Sequence, residues 1–484
     1  MWSVMLLALL APPSIGPNDI PPGIEADANT REVLRRINSV SASETPDLKL
    51  LREHNYGRTA ADIEPFGAVK PYKEHFLEQM QYYGPGRSIP EPPEGAVKTV
   101  KFGFIGPIEP TVSVATGGKS HEEALGKAML NGARLAIEEA NAKGGYLRRA
   151  IPFELVVAND NGLWGSTGNE VINMVYRDEV WAMLGTIDSA NSHIAIRVAL
   201  KAETVMMNTG DTDPTFIETN IPWTMRNIGD DRQMGYLLVD YMLRKMKYQR
   251  IAIIRASNRY GRFGVREIRD SARRLGKPVV IEMAYKVGAG DFSLQVERVK
   301  EMKPDAIVHW GDAREAAIIL KQIRERGMKQ PFLTSDRAVT REFLQIAGGH
   351  AEGVIAGYPW NPDAPNPRYA EFRERFRKRF NDEPDTYAAH AYDGMNMLIW
   401  AIQVAGLNRA KIRDILATRI KPWPGVTGDI PFSAVLDDAG EVFLARFENG
   451  RWRYYSREDL QIPRGYVPMR ERTARELLTQ AETK

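Results

Sequence analysis

From Lys98 onward, short apolar runs alternate with stretches of helical spacing. The run VKFGFIG at 100–106 is closed by a glycine and predicts a buried strand. Between Gly126 and Gly145, apolar residues fall at Met129, Ala133, Ala136, Ile137 and Ala140, a helical spacing that Gly144-Gly145 stops. Strands are predicted at 151–158, 180–185 and 204–208, with helices at 167–177 and 189–202 between them. The pattern restarts with a helix at 230–246, then strand 250–256, helix 260–275, strand 279–285, helix 291–302, strand 305–310 and helix 313–326. Strands at 331–335 and 352–358 follow, then helices at 368–380 and 386–404. The last two predicted strands, 441–450 and 451–456, join across Asn449-Gly450, a hairpin signal. Strands alternating with helices imply right-handed βαβ units and parallel sheets. The restart implies two such sheets with shared late segments, an α/β body of two lobes. In open sheets of this kind ligands bind off the carboxyl ends of the strands, here the cleft between lobes.

The N-terminus departs from this pattern. Residues 1–13 read MWSVMLLALLAPP, an apolar stretch too short to span a bilayer, and we read 1–16 as a signal peptide of an exported, periplasmic protein. No other run reaches about 18 apolar residues, so no membrane span is expected in the mature chain. Residues 17–97 form a polar, Pro-rich extension with helical pieces at 31–39 and 71–83 and a Pro/Gly linker at its end.

Composition narrows the function classes. Sixty-five basic against sixty-two acidic residues leave a formal charge of +3, and no basic stripe carries interleaved aromatics. Nucleic acid is therefore not an expected partner. The absence of cysteine excludes disulfides, Cys-ligated zinc, thiol catalysis and a lipid-modified N-terminal Cys. Gly118-Lys119-Ser120 resembles the end of a phosphate loop, but Ser113 stands where its first glycine should be. The seven histidines contain no i, i+4 pair, and His309 with Asp312 lacks a third metal ligand. The methionines sit in apolar runs and read as core. Phe372, Phe376 and Phe380 mark an amphipathic helix. No cofactor and no metal are expected.

The stretch Asn131-Gly-Ala-Arg-Leu-Ala-Ile-Glu-Glu-Ala-Asn-Ala-Lys-Gly-Gly145 closely resembles the first helix of the leucine/isoleucine/valine-binding protein family, whose fold is the type I periplasmic solute-binding fold. Family-like segments follow in order: VVANDNG, LGTIDSANS, MMNTGDTDP, RIAIIRASNRYG, GAGDFSLQVERVK, PDAIVHWG and HAYDGMNML. The resemblance covers about 98–455 and implies two lobes joined by a three-segment hinge, delivering a small-molecule solute to an ABC transporter permease in the membrane. With the sheets restarting near Met225-Arg226, the crossings are expected near 225–228, 356–360 and 430–434. Lobe 1 is then 98–225 with 359–432, lobe 2 is 226–358 with 433–465, and 466–484 is a tail.

Candidate ligand-binding residues follow from the same alignment. Ser189 and Thr212 each follow a strand at a helix start, where hydroxyls and free backbone N–H groups can hold a carboxylate. The resemblance matches them to the family's carboxylate-binding Ser and Thr; the competing reading is helix capping. Tyr260 matches a pocket aromatic, or is a surface turn residue. Asp336 matches the acidic partner of a ligand ammonium, and Tyr387 a first-lobe aromatic. Asp188 and Asp211 replace small residues beside the pocket, and Trp310 and Asp312 stand where the family has an aromatic. Four carboxylates at strand ends (Asp188, Asp211, Asp312 and Asp336) favour an amino-acid-like or amine-bearing solute, unless Asp188 and Asp211 turn away to cap helices. Trp310 and Tyr260 could offer a face to the cation. The expected role is capture without chemistry. A ligand sensor and a carboxylate-dependent hydrolase are the alternatives, and no nucleophile–base pair supports the latter.

Overall fold

The computed structural model describes residues 82–463, apart from 110, 113–118, 121, 161–163, 220, 420–421 and 434. The signal-peptide reading, the helix at 31–39, most of that at 71–83 and the tail at 466–484 lie outside the described residues. Within them, the first half of the chain runs β1 (Val100–Gly106), α1 (Glu123–Ala142), β2 (Phe153–Asn159), α2 (Trp164–Ile172), β3 (Ala182–Leu184), α3 (Ser189–Ala202), β4 (Val205–Asn208) and β5 (Thr224–Arg226). The second begins with α4 (Asp231–Val239), β6 (Ile251–Ala256), α5 (Arg259–Arg274), β7 (Ile281–Tyr285), α6 (Ser293–Glu301), β8 (Ala306–Trp310), α7 (Ala313–Glu325), β9 (Phe332–Thr334), α8 (Arg341–Ala347) and β10 (Ile355–Tyr358). It ends with α9 (Pro367–Phe380), α10 (Thr386–Ala405), α11 (Arg409–Arg419), β11 (Trp423–Gly425), β12 (Gly428–Ile430), β13 (Phe443–Glu448) and β14 (Arg451–Tyr455).

The two sheets repeat one topology. The first has the order β2-β1-β3-β4-β5, all parallel. The second runs β7-β6-β8-β9-β10 in parallel and then adds the antiparallel hairpin β13-β14 to its edge. Both centres are covered on both faces, which is why their strands read as unbroken apolar runs. On β6 and β8, Ile251, Ile253, Ala306 and Val308 feed one core, while Ala252, Ile254 and Ile307 feed the other. In each sheet the strand order reverses beside its first strand, the place where α/β sheets open a crevice at their carboxyl ends.

The chain passes between the lobes three times, from β5 to α4, from β10 to α9 and from β12 to β13. Helices α9, α10 and α11 and the β11–β12 hairpin return to the first lobe, where α10 packs on α1. Arg226 ties the first and third crossings together. Its guanidinium donates to both Asp437 oxygens at 2.7 and 2.8 Å and to Asp230 at 3.0 Å, fully buried.

Residues 82–99 form a strap on the first lobe. The Tyr82 hydroxyl donates to Glu203 at 2.5 Å, and its ring meets Trp223 edge-on at 4.8 Å. Arg87 donates to Asp414 at 2.6 Å, and Asn408 donates to the carbonyls of Gly86 and Ile89.

Several elements differ from the sequence expectation. The helices after β2 and β5 finish in π turns, at Asn173–Arg177 and Asp240–Lys245. Strand β5, helix α11 and the β11–β12 pair had no sequence prediction. Lys119–Ser120, from the phosphate-loop-like stretch, pair as a two-residue strand with Thr111–Val112.

Candidate ligand-binding cleft

The carboxyl ends of both sheets meet across buried side chains. After β9, the chain turns through Ser335 into a single 3₁₀ turn, which places Asp336 and Arg337 side by side between the lobes. Asp336 is 1% exposed. It accepts one hydroxyl from each side: Tyr260 on α5 of the second lobe at 3.0 Å, and Tyr387 on α10 of the first lobe at 3.1 Å. Burial pushes the Asp336 carboxyl above the usual range, and Arg337 and the two hydroxyls pull it back. Both tyrosines are themselves raised by burial and then by Asp336, so they stay protonated donors.

Arg337 spans the cleft. It donates to Glu122 at 2.6 Å and to the Ile187 carbonyl at 3.3 Å on the first lobe, and to Asp312 at 2.8 Å on the second. Its guanidinium carbon lies 3.7 Å from the centre of the Tyr260 ring. One guanidinium cannot neutralise two buried carboxylates, and burial pushes Glu122 up to about 8. A third cross-lobe contact forms at Arg259, the first residue of α5. It donates to Asp213 at 2.7 Å and to Thr215 at 2.5 Å, with His193 at 3.1 Å. Burial, then Arg259, lowers His193 to about 4, so this imidazole is neutral at physiological pH.

On the first-lobe side, Ser189 donates to Asp211 at 2.9 Å. Asp211 also accepts from the Asp213 N–H at 2.9 Å, while its second oxygen is buried without a partner. Burial, then Asp213, pushes Asp211 up to about 7. The Thr212 carbonyl accepts the Asp231 N–H at 2.9 Å at the start of α4.

Of the sequence candidates, Tyr260, Asp336 and Tyr387 form one bonded cluster, and on the first lobe Ser189 bonds Asp211, with Thr212 next to it in the chain. Two expectations need correction. Trp310 is fully buried in the core beneath α5, so close that a Cβ on Gly264 would meet its indole nitrogen at 1.9 Å. It therefore packs the second lobe rather than lining the cleft. The quartet of unpartnered carboxylates is not realised either. Asp188 caps α3, accepting from the N–H groups of Ala190 at 2.8 Å and Asn191 at 3.1 Å, and Asp312 holds Arg337. His309 bonds Tyr285 and Thr334 in the core, away from Asp312's partner.

Sequence reasoning missed Glu122, Arg259 and Arg337. Arg259 and Arg337 each adjoin a residue that was singled out, in Arg259-Tyr260 and Asp336-Arg337, and an arginine beside an expected charge partner was a readable signal. Glu122 carried none. Beside this cluster a groove of ≈ 900 Å³ runs between the lobes, walled by Glu122, Thr386 and Trp360 on one side and Asp312, Arg337 and Tyr454 on the other.

A family model described as periplasmic binding protein matches residues 99–439. The chain belongs to this family. Its members are solute-binding proteins, not enzymes. Among curated relatives, the Leu/Ile/Val-binding protein homolog 2 of Brucella abortus (strain 2308) is 28% identical over 347 residues, covering 69% of this chain and 90% of the relative. Among solved structures, the isoleucine complex of the substrate-binding protein LivJ from Streptococcus pneumoniae superposes with a TM-score of 0.67 at 24% identity, covering 74% of this chain and 99% of that one. A Rhodopseudomonas palustris solute-binding protein in complex with benzoate gives 0.65 at 16% identity, covering 74% and 96%. These likenesses show the fold, two α/β lobes of the periplasmic binding type. No helix among the described residues is long and apolar enough to cross a membrane.

Proposed function

We propose that this family member is an exported solute-binding protein that closes over an amine-bearing, amino-acid-like solute and delivers it to an ABC-type membrane permease. The observation that carries this reading is Asp336, a buried carboxyl held by a hydroxyl from each lobe. Such a group responds to a ligand cation and to lobe closure together. The lobes are assigned as 98–225 with 359–432 and 226–358 with 433–465. Ser189, Thr212 and Asp211 lie on the first lobe and would hold the polar end opposite the amine. Family relatives named for leucine, isoleucine and valine binding support an amino-acid-like solute. Binding free energy that is larger in the closed form drives closure, with no chemical step.

A thermal-shift panel followed by calorimetry tests the reading, with amino acids and simple amines against benzoate as an acid lacking an amine. Amines should stabilise the protein, and Asp336→Ala should weaken their binding by about 2–4 kcal/mol, as for loss of a desolvated charge partner. Stabilisation by benzoate alone would sink the proposal.

A further inference from the structure

We infer that the groove beside the acid cluster holds an uncharged, ring-bearing tail of the captured solute, so that the closed lobes enclose only its amine-bearing head. This rests on the amine reading above and adds the other half of the solute to it.

The groove is continuous with the cleft at its inner end. Arg337 and Thr386 line it, and they are the chain neighbours of Asp336 and Tyr387, which bond each other between the lobes. At its outer end it reaches solvent past the exposed side chains of Arg341, Arg373 and Glu383. The closed lobes thus leave a lateral opening that leads inward to the acids. At ≈ 900 Å³ the groove falls in the upper range of sites that bury drug-sized ligands, far more room than a leucine side chain needs.

The walls are aromatic and come from both lobes. Tyr358, which ends β10, meets Tyr454 of β14 at 5.2 Å, and Trp360 on the second crossing meets Tyr369 of α9 edge-on at 4.8 Å. Each of these rings carries a polar tip that the protein leaves unused. The Trp360 indole N–H is buried without an acceptor. The hydroxyls of Tyr358, Tyr369 and Tyr454 make no hydrogen bond among the described residues. Tyr358 and Trp360 are only 4% and 5% exposed, so water serves them poorly, and a polar tip left so costs free energy that a bound acceptor recovers. Burial raises all three hydroxyls, which therefore stay protonated donors. Asp336 is among the groups that then add to the rise at Tyr358, so this wall lies within electrostatic reach of the acid that takes the amine.

Charge sets the last constraint. Across the mouth Arg341 pairs with Asp382 at 3.6 Å, and Arg373 pairs with Glu383 at 2.8 Å. What the groove offers is flat apolar faces and O–H donors, which fit a neutral tail with a ring and oxygen acceptors. A leucine side chain has neither.

The test uses the full chain and four probes: L-leucine, Nε-acetyl-L-lysine, Nε-benzyloxycarbonyl-L-lysine and benzoate. The two lysine derivatives share one head and one linker, and only the second adds a ring. In calorimetry the benzyloxycarbonyl derivative is expected to bind wild type about 10-fold or more tighter than the acetyl one, as for burial of a phenyl ring. Tyr454→Ala removes a half-buried wall and should erase most of that advantage while leaving L-leucine affinity unchanged. Tyr358→Phe keeps the packing, so it folds even where the first variant does not, and should weaken the benzyloxycarbonyl derivative by about 3- to 10-fold through the lost hydroxyl. Equal affinity of wild type for the two lysine derivatives overturns the groove assignment and leaves the amine reading standing. An equal loss for L-leucine and the benzyloxycarbonyl derivative in Tyr454→Ala does the same. A wild type stabilised by benzoate and by none of the three amines overturns both.

Discussion

Arg337 concentrates more of the cleft's charge than any other side chain described, because one guanidinium serves two buried carboxylates from opposite lobes. Truncating it withdraws the guanidinium from two buried acids, Glu122 and Asp312, at once. Arg337→Ala should therefore destabilise the unliganded protein by about 3–5 kcal/mol in urea titration. Arg337→Lys should recover only part of that, since an ammonium cannot fork to both acids. Asp211 supplies a pH signature. Its folded value of about 7 lies above the ordinary 3.8, so the folded state holds a proton that the unfolded state has released. That contribution to stability is full below pH 4 and is lost as pH rises towards 7. The histidines act in the opposite sense: His193 at about 4 and His309 at about 3 cost stability as pH falls below 6.5. The comparison that isolates Asp211 is with Asp211→Asn, whose stability should decline less than the wild type's between pH 4 and 7. Identical slopes would remove Asp211 from the account. Little of this was legible beforehand. Asp336 and Tyr260 stood out because the family resemblance matched them to binding positions, but Glu122 meets Arg337 across 215 positions, and no local pattern encodes that pairing.

At the level of elements, the alternation of apolar runs and helical spacing was readable because parallel strands buried on both faces leave an unmistakable block pattern. What escaped has no such pattern. Strand β5 is only Thr224–Arg226 and ends on a buried arginine, and α11 buries two basic residues, Arg413 and Arg419, that interrupt any apolar stripe. Helix starts also exchanged roles with their neighbours. The α3 cap is Asp188, leaving the Ser189 hydroxyl free to reach Asp211. The two adjacent residues should thus separate cleanly. Asp188→Ala should cost about 1 kcal/mol of stability by denaturant titration. Ser189→Ala should leave helix stability nearly unchanged and show its effect in ligand affinity by calorimetry. Equal stability losses for both would contradict this division.

Among the described residues, side chains that join the lobes across the cleft include Arg337 with Glu122, Tyr387 with Asp336, and Arg259 with Asp213 and Thr215. Arg259 is the contact that can be removed without touching the buried acids at Asp336. Arg259→Ala should raise the radius of gyration of the unliganded protein in small-angle scattering, with saturating amine returning it to the closed value. An unchanged radius would mean that this contact does not hold the lobes. The strap at 82–99 bears on the same motion. Its bonds run to Glu203, Asn408 and Asp414, all on the first lobe, and none of those residues walls the groove. The two halves are therefore not equivalent partners in a clamshell. A pull on the chain where it enters at residue 82 therefore loads the first lobe directly and reaches the second only through the crossings between them.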